Sequence, residues 1–338
     1  MAQSALIAVG GNSLIRAGGS GGDPKKADHL RRTASAIVEL LRDGLHVVVT
    51  HGNGPQVGAA LLRSEIAAGR AYSQSLDLCD ASTQGEIGYE IAQAIENELA
   101  RAGLSIPVAP VITQTVVRPD DPAFLHPSKP IGMFYTREEM EQKVEMLGWT
   151  MVYERNRGYR RAVPSPNPVE IVEIESLRRL IATGTLVVAA GGGGIPVVRT
   201  EDGLHGVEAV IDKDLASSLL ATQLGMDMLM ITTDVECVYA DHGTLMERPI
   251  LSTTIDELEQ LRRQGQFPPG SMGPKVEAVI RFLRAGGKRA AITNCEHLHA
   301  AIHGMAGTQV VASGESLPAM RDCEDCETLA VRASNEIG

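Results

Sequence analysis

A chain of 338 residues with 43% apolar but only 3% aromatic content suits one large α/β unit or two lobes around an aliphatic core of Val, Ile, Leu, Ala and Met. Its net charge of -11 excludes broad nucleic-acid binding, because a polyanion is repelled. No apolar run approaches the roughly 20 residues that cross a bilayer. Five scattered cysteines (Cys79, Cys237, Cys295, Cys323 and Cys326) and the direct entry into ALIAV without a basic leader lead us to expect reduced thiols and a cytoplasmic protein.

In chain order, residues 5–9 read as a buried strand and a Gly/Ser/Pro loop spans 17–24. A helix follows from about Lys26 to Arg42, with Ile37, Leu40 and Leu41 on one face, and stops at Gly44. Residues 46–50 form a second strand, then a glycine turn leads to a helix over Pro55–Ala68. Pro55 fits a first helical turn, where its missing N–H is harmless. A long helix covers about Ala81 to Ala102 and ends at Gly103; residues 107–112 read as a third strand.

From about Val116 to Pro168 the character changes. Pro119, Pro122, Pro127, Pro130, Pro164, Pro166 and Pro168 interrupt the segment, which holds the single Trp149, a short helix near Arg137 to Leu147 and a hairpin-like YERNRGYRRAV. We expect this part to stand off the sheet as a lid-like subdomain. The rhythm then resumes with a helix at 173–183, a strand at 185–189 and a hairpin around 195–211. A helix at 214–224, a strand at 227–232, helices near 254–264 and 274–285, and strands at 289–293 and 309–311 complete it. Such alternation predicts a mostly parallel sheet covered on both faces, with ligands beyond the carboxyl ends of the strands.

Glycine turns occupy that edge. Gly10-Gly11-Asn12 follows the first strand, Gly52-Asn53-Gly54 the second, and Gly191 to Gly194 the run TLVVAA. The THGNGPQVG segment is one residue off the dinucleotide fingerprint, and no acidic residue ends the next strand in the expected place. Anion binding by amides at a helix start suits it better, with a purely geometric turn as the bland alternative. Four successive glycines carry a large entropy loss on folding, for which close approach of a ligand is the explanation we favour. Three lysines stand out: Lys129 between the prolines of HPSKPIG, Lys213 opening a helix after a strand-like VEAVI in VIDKDLAS, and Lys275 beside the glycines of GSMGPK. The last is no P-loop, because its spacing is wrong and no Ser or Thr follows the lysine. Each lysine alone could face solvent, and Asp214 could be a favourable first-turn charge. Together, bare amides and ammonium groups point to phosphoryl transfer without a P-loop. The nine histidines show no HExxH or other metal-ligand spacing, Cys323 and Cys326 form a CxxC without a second pair, and no G-x-S-x-G is present.

The ordered set AVGGN (8–12), HGNGPQVG (51–58), SLDLC and TQGEIGY (75–89), PAFLHPSKPIG (122–132), RGYRRAVPSPNP (157–168), GGGGIPVV (191–198), GVEAVIDKDLAS (206–217) and PGSMGPK (269–275) resembles carbamate kinase, of the amino-acid kinase superfamily. It covers roughly residues 5–313. TTDVECVY at 232–239 looks like the superfamily's nucleotide-side motif. The resemblance implies a three-layer αβα sandwich with an open, mainly parallel eight-stranded sheet and a protruding subdomain (116–168) within a 1–313 domain. It also implies a homodimer, and reversible phosphoryl transfer between carbamoyl phosphate and ADP, giving ATP and carbamate, with Mg²⁺. By similarity Lys129, Lys213 and Lys275 contact the transferring group and Asp214 organises them. Gly10, Gly11, Asn12, Gly52, Asn53, Gly54, Gly191 and Gly192 would lie on the carbamoyl phosphate side. Thr233, Asp234, Tyr239, Met272 and Lys275 would lie on the nucleotide side. Residues 314–338 extend past the family core. Met133 and Tyr159 stand where the family pattern has Pro and Trp, and Asp80 and Glu86 add acid near the long helix.

Carbamate is already an anionic nucleophile, so this reaction needs alignment and charge neutralisation rather than a general base. The rivals are another small-acceptor acyl-phosphate or uridylate-type kinase of the same fold, and a silent nucleotide or metabolite sensor. A sensor would not need three lysines and Asp214.

Overall fold

The computed structural model describes residues 3–10, 24–154, 157–268 and 270–314. Gly11, Asn12 and the extension from 315 onward, with its CxxC, lie outside the described residues. The main sheet has eight strands: β1 (Ser4–Val9), β2 (His46–His51), β3 (Val108–Pro110), β4 (Leu186–Val188), β5 (Met228–Thr232), β6 (Ser252–Thr254), β7 (Arg289–Thr293) and β8 (Thr308–Val311). They run in the order β6-β8-β7-β5-β1-β2-β4-β3. Pairings are parallel except β7 with β8.

Strand side chains alternate between two apolar cores, as period-2 geometry demands. Leu6, Ala8, Val48, Val187, Leu229, Ile231 and Ile292 face one core with Leu177, Leu220, Leu258 and Val276. Ala5, Ile7, Val47, Val49, Val188, Met230 and Ala291 face the other with Ile37, Ile91, Ile95 and Leu298. The helices that supply the first layer are α5 (Ile174–Ala182), α6 (Lys213–Leu224), α7 (Ile255–Arg263) and α8 (Met272–Arg284). The second layer is α1 (Pro24–Arg42), α3 (Leu76–Ala102) and α9 (Leu298–Ile302). Strands buried on both faces explain the continuous runs ALIAV and MLMIT. The sandwich is three-layered and α/β.

Two helices remain: α2 (Gly54–Ile66) and α4 (Arg137–Leu147). Lys129–Tyr135, Thr150–Glu154 and Gly158–Val163 form their own three-stranded antiparallel sheet, with α4 capped by a Thr136/Glu139 capping box. Trp149 meets Tyr135 edge-on at 6.2 Å, and Arg161 lies 4.6 Å above the indole. Tyr159 tilts against Tyr153 at 5.2 Å, while Met133 is exposed. Gln114–Val117 and Pro168–Ile171, at the margins of the proline-rich segment, belong instead to a four-stranded sheet with Ile195–Thr200 and Gly203–Gly206. The segment is therefore shared between two sheets. Gly58 of α2 meets Gly132 so closely that a Cβ on Gly58 would overlap the Gly132 backbone.

Candidate active site

Parallel β1, β2, β4 and β5 send their turns to one edge. Gly10 donates its N–H to Thr232 Oγ1 (3.0 Å) and Gly52 to the Val9 carbonyl (3.2 Å), tying the ends of β1, β5 and β2 together. Asn53 stands at the N-cap position of α2 without a side-chain cap bond, and Pro55 occupies the first turn.

α6 begins on this edge. Asp212 is its N-cap, accepting from the Asp214 amide at 2.9 Å. Ser217 donates to the Lys213 carbonyl and meets Thr50 Oγ1, each at 2.6 Å, so the first turn is pinned to the end of β2. Lys213 Nζ lies 2.6 Å from Asp214 Oδ1 and Lys275 Nζ 3.1 Å from Asp214 Oδ2. Lys129, from the start of the three-stranded sheet, reaches Asp212 Oδ2 at 3.0 Å. The structure thus brings all three lysines to one helix start. A helix N-terminus is already positive, and three ammonium groups face two carboxylates there. Three ammonium groups gathered at one helix start give a phosphoryl group several donors.

The buried acids and bases differ in their states. Burial works against ionised Asp214, yet Lys213 and Lys275 overcome it and hold the carboxyl at about 2. Burial pulls Lys213 below the usual lysine range despite Asp214. Lys275 also loses hydration, but Asp214 outweighs that and raises it. His51 is driven down to about 4 by burial, leaving a neutral imidazole whose Nδ1 meets the Gly52 carbonyl at 3.1 Å.

Gly191 to Gly194 follow β4, where close contacts within the protein themselves demand glycine. Cβ atoms there would overlap the His51 ring, the Asn53 amide, the Ile211 carbonyl and Thr115 Oγ1 in turn. Gly192, Gly193 and Gly194 also have φ of 66°, 100° and 86°. Gln84 holds this turn, donating to the Gly191 and Thr113 carbonyls at 3.1 and 3.0 Å and accepting from the Thr113 amide at 2.8 Å.

On the expected nucleotide side, Thr233 donates its N–H to the Thr293 carbonyl at 2.8 Å. Asp234 adds to the field that favours charged Lys275. Met272 opens α8 and packs on the core. Tyr239, in the strand Val238–Ala240, is pushed up to about 12 by burial and by Cys237.

Sequence reasoning missed Asp212, Thr83 and Gln84, and left Asp80 without a role. Asn53 Nδ2 donates to Asp80 Oδ1 and Thr83 Oγ1, both at 2.9 Å. Asp80 is buried, with Oδ2 unpartnered among the described residues, and burial lifts it well above the usual carboxylate range. An N-cap signal in front of LASSLL was available for Asp212; Asp80 carried none.

Comparisons with known proteins decide the family. The amino acid kinase family matches residues 4–294. A carbamate kinase of Thermococcus kodakarensis is 45% identical over 310 residues, 90% of this chain and 98% of the relative. The chain belongs to the carbamate kinases. One from Halobacterium salinarum is 44% identical across 92% of this chain and 99% of its own length. Among solved structures, carbamate kinase from Giardia lamblia bound to AMP-PNP superposes with a TM-score of 0.85 at 39% identity, covering 92% of this chain and 99% of that one. Members of this family are kinases, and this enzyme is accordingly a phosphotransferase. No helix among the described residues is long and apolar enough to cross a membrane.

Proposed function

We propose that the enzyme reversibly transfers a phosphoryl group between carbamoyl phosphate and ADP. The observation that carries the reading is the sharing of Asp214 by Lys213 and Lys275, with Lys129 held two residues away on Asp212. In the ATP-forming direction a β-phosphate oxygen of ADP forms the new P–O bond, and the carbamoyl C–O–P linkage breaks at phosphorus to release carbamate. The leaving oxygen departs as an anion, so no proton must be delivered. That fits a site whose buried His51 is neutral and turned to a backbone carbonyl. Catalysis is then alignment plus neutralisation of the equatorial oxygens. Lys129, Lys213 and Lys275 would exchange part of their carboxylate contacts for phosphoryl oxygens, and Asp214 would hold two of them in register. Amides of Asn53 and Gly54 at the start of α2, with the turn at Gly191 and Gly192, would cradle the carbamoyl phosphate end beside Gly10 and Gly52, whose own N–H groups hold Thr232 and Val9; Thr233, Asp234, Tyr239 and Met272 would meet the nucleotide.

Mg²⁺ enters this reading on the nucleotide. Magnesium prefers oxygen ligands and keeps several waters, but both Asp214 oxygens already face ammonium groups. The phosphates would therefore supply most of its ligands and the protein few. The ion contributes charge neutralisation when bound. We further propose a cytoplasmic homodimer. Leu78 and Tyr89 on α3 and Ile112 beside edge strand β3 are exposed apolar side chains on one margin of the sheet, suited to a second copy. Sedimentation of the purified chain at the mass of one copy would contradict the dimer.

ATP formation from carbamoyl phosphate and Mg-ADP, read by a coupled assay, tests the activity. Turnover with this pair, and much weaker phosphorylation of acetate, glutamate, acetylglutamate and UMP by ATP, is expected. No ATP from well-folded protein would overturn it.

A further inference from the structure

Three residues away from the start of β2, at the end opposite the Gly52 turn, Asp43 meets His299 of α9 and His303 at its C-cap. His299 Nε2 lies 2.9 Å and His303 Nε2 3.1 Å from the same Asp43 oxygen, Oδ2. The two rings stand edge to face with centroids 4.8 Å apart. One ligand atom from each of the three residues falls within 4.8 Å of the others. Positions i and i+4 of a helical turn present side chains on one face, so the two imidazoles converge for a local reason. The carboxylate comes from the far side of the sequence, on the loop that ends α1.

We propose that Asp43, His299 and His303 form a binding site for a divalent transition-metal ion of the Zn²⁺ class. The donor set, two imidazole nitrogens and one carboxylate oxygen, is what Zn²⁺ accepts; Mg²⁺ and Ca²⁺ prefer all-oxygen shells. Zinc bonds of about 2.0–2.2 Å at tetrahedral angles put neighbouring ligand atoms about 3.3 Å apart. The two contacts to Oδ2, 2.9 and 3.1 Å, would open toward that spacing, and the two ring nitrogens, within 4.8 Å of each other, would close toward it. Water would complete the shell, since all three residues are at least partly open to solvent. Both imidazoles can turn the Nε2 lone pair to the metal by carrying their proton on Nδ1 instead, so neutral histidines bind without releasing a proton. An ion here would clamp the end of α1 to α9, remote from the lysine cluster, and would act on stability rather than on turnover.

The test uses the full chain stripped with EDTA and titrated with ZnCl₂, followed by calorimetry and thermal unfolding, with CoCl₂ as a spectroscopic probe. We expect one ion per chain with micromolar or tighter affinity, a midpoint raised by several degrees, and cobalt ligand-field bands without sulfur-to-metal charge transfer. His299→Gln/His303→Gln should weaken binding at least about tenfold and abolish the thermal gain, with the coupled ATP assay unchanged. Asp43→Asn, which preserves a hydrogen-bond acceptor, should do the same should the double variant fold poorly. Cys323→Ser/Cys326→Ser should leave binding intact. The proposal is overturned by an absence of saturable binding, by binding that survives loss of both histidines, or by binding that disappears with the two tail cysteines.

Discussion

Asp214 and Asp80 lie near the starts of two helices, α6 and α3, and both side chains are almost wholly buried. They end in opposite states. Desolvation pushes both carboxyls up, but at Asp214 two ammonium groups reverse it, whereas Asp80 has only the amide of Asn53 and the more distant Lys129. The comparison separates two jobs within one site. The α6 end stores charge in a form that an incoming anion can use; the α3 end forms a mostly neutral hydrogen-bonded floor that fixes Asn53 and the turn after β2.

Breaking the charged end should have the largest consequences. Asp214→Asn leaves two buried ammonium groups facing each other without a carboxylate, and we expect a stability loss of about 3–5 kcal/mol by denaturant unfolding. ATP formation should fall with it. Lys213→Ala, Lys275→Ala or Lys129→Ala should each lower turnover by about two orders of magnitude or more, roughly 3–4 kcal/mol of transition-state stabilisation. Ordinary turnover in a folded Lys213→Ala or Lys275→Ala protein contradicts the assigned roles.

The floor breaks differently. Gly192→Ala combines a φ of 66° with a Cβ that overlaps the Asn53 side chain, so a loss of about 2–3 kcal/mol is expected, measured by urea unfolding. Asp80→Asn should change stability at neutral pH by only about 1 kcal/mol, but should alter its pH dependence. A folded-state pKa raised above the unfolded value gives stability that is present in acid and lost as pH rises through the folded value. The wild type should therefore lose ground to Asp80→Asn on going from acid toward neutral pH. Asp214 has the opposite sign: its stability is present above the ordinary carboxylate value of 3.8 and is lost as pH falls toward about 2. Parallel pH profiles for wild type and Asp80→Asn would sink the contrast.

Much of this was legible in the sequence because it is local. Runs such as ALIAV and MLMIT announce strands buried on both faces, Lys129 and Lys275 announce themselves beside proline and glycine, and Lys213 announces itself at a helix start. What sequence reasoning missed depends on partners far along the chain. Lys129 pairs with Asp212, 83 residues away, and Gln84 braces a turn 107 residues on. The close neighbours that demand glycine in the 191–194 run, His51, Asn53 and Thr115, come from other strands and turns. Strand Ser252–Thr254 and helix Leu298–Ile302 are too short to show a period, and the 299/303 histidine pair had no visible third ligand without Asp43.

A structure of the enzyme with ADP, Mg²⁺, carbamate and aluminium fluoride tests the electrostatic account most directly. We predict the ammonium nitrogens of Lys129, Lys213 and Lys275 within about 3.2 Å of the fluoride or bridging oxygens, with Asp214 still joining the last two. A complex in which any two of these nitrogens stay on their carboxylates and out of reach of the fluoride would contradict it.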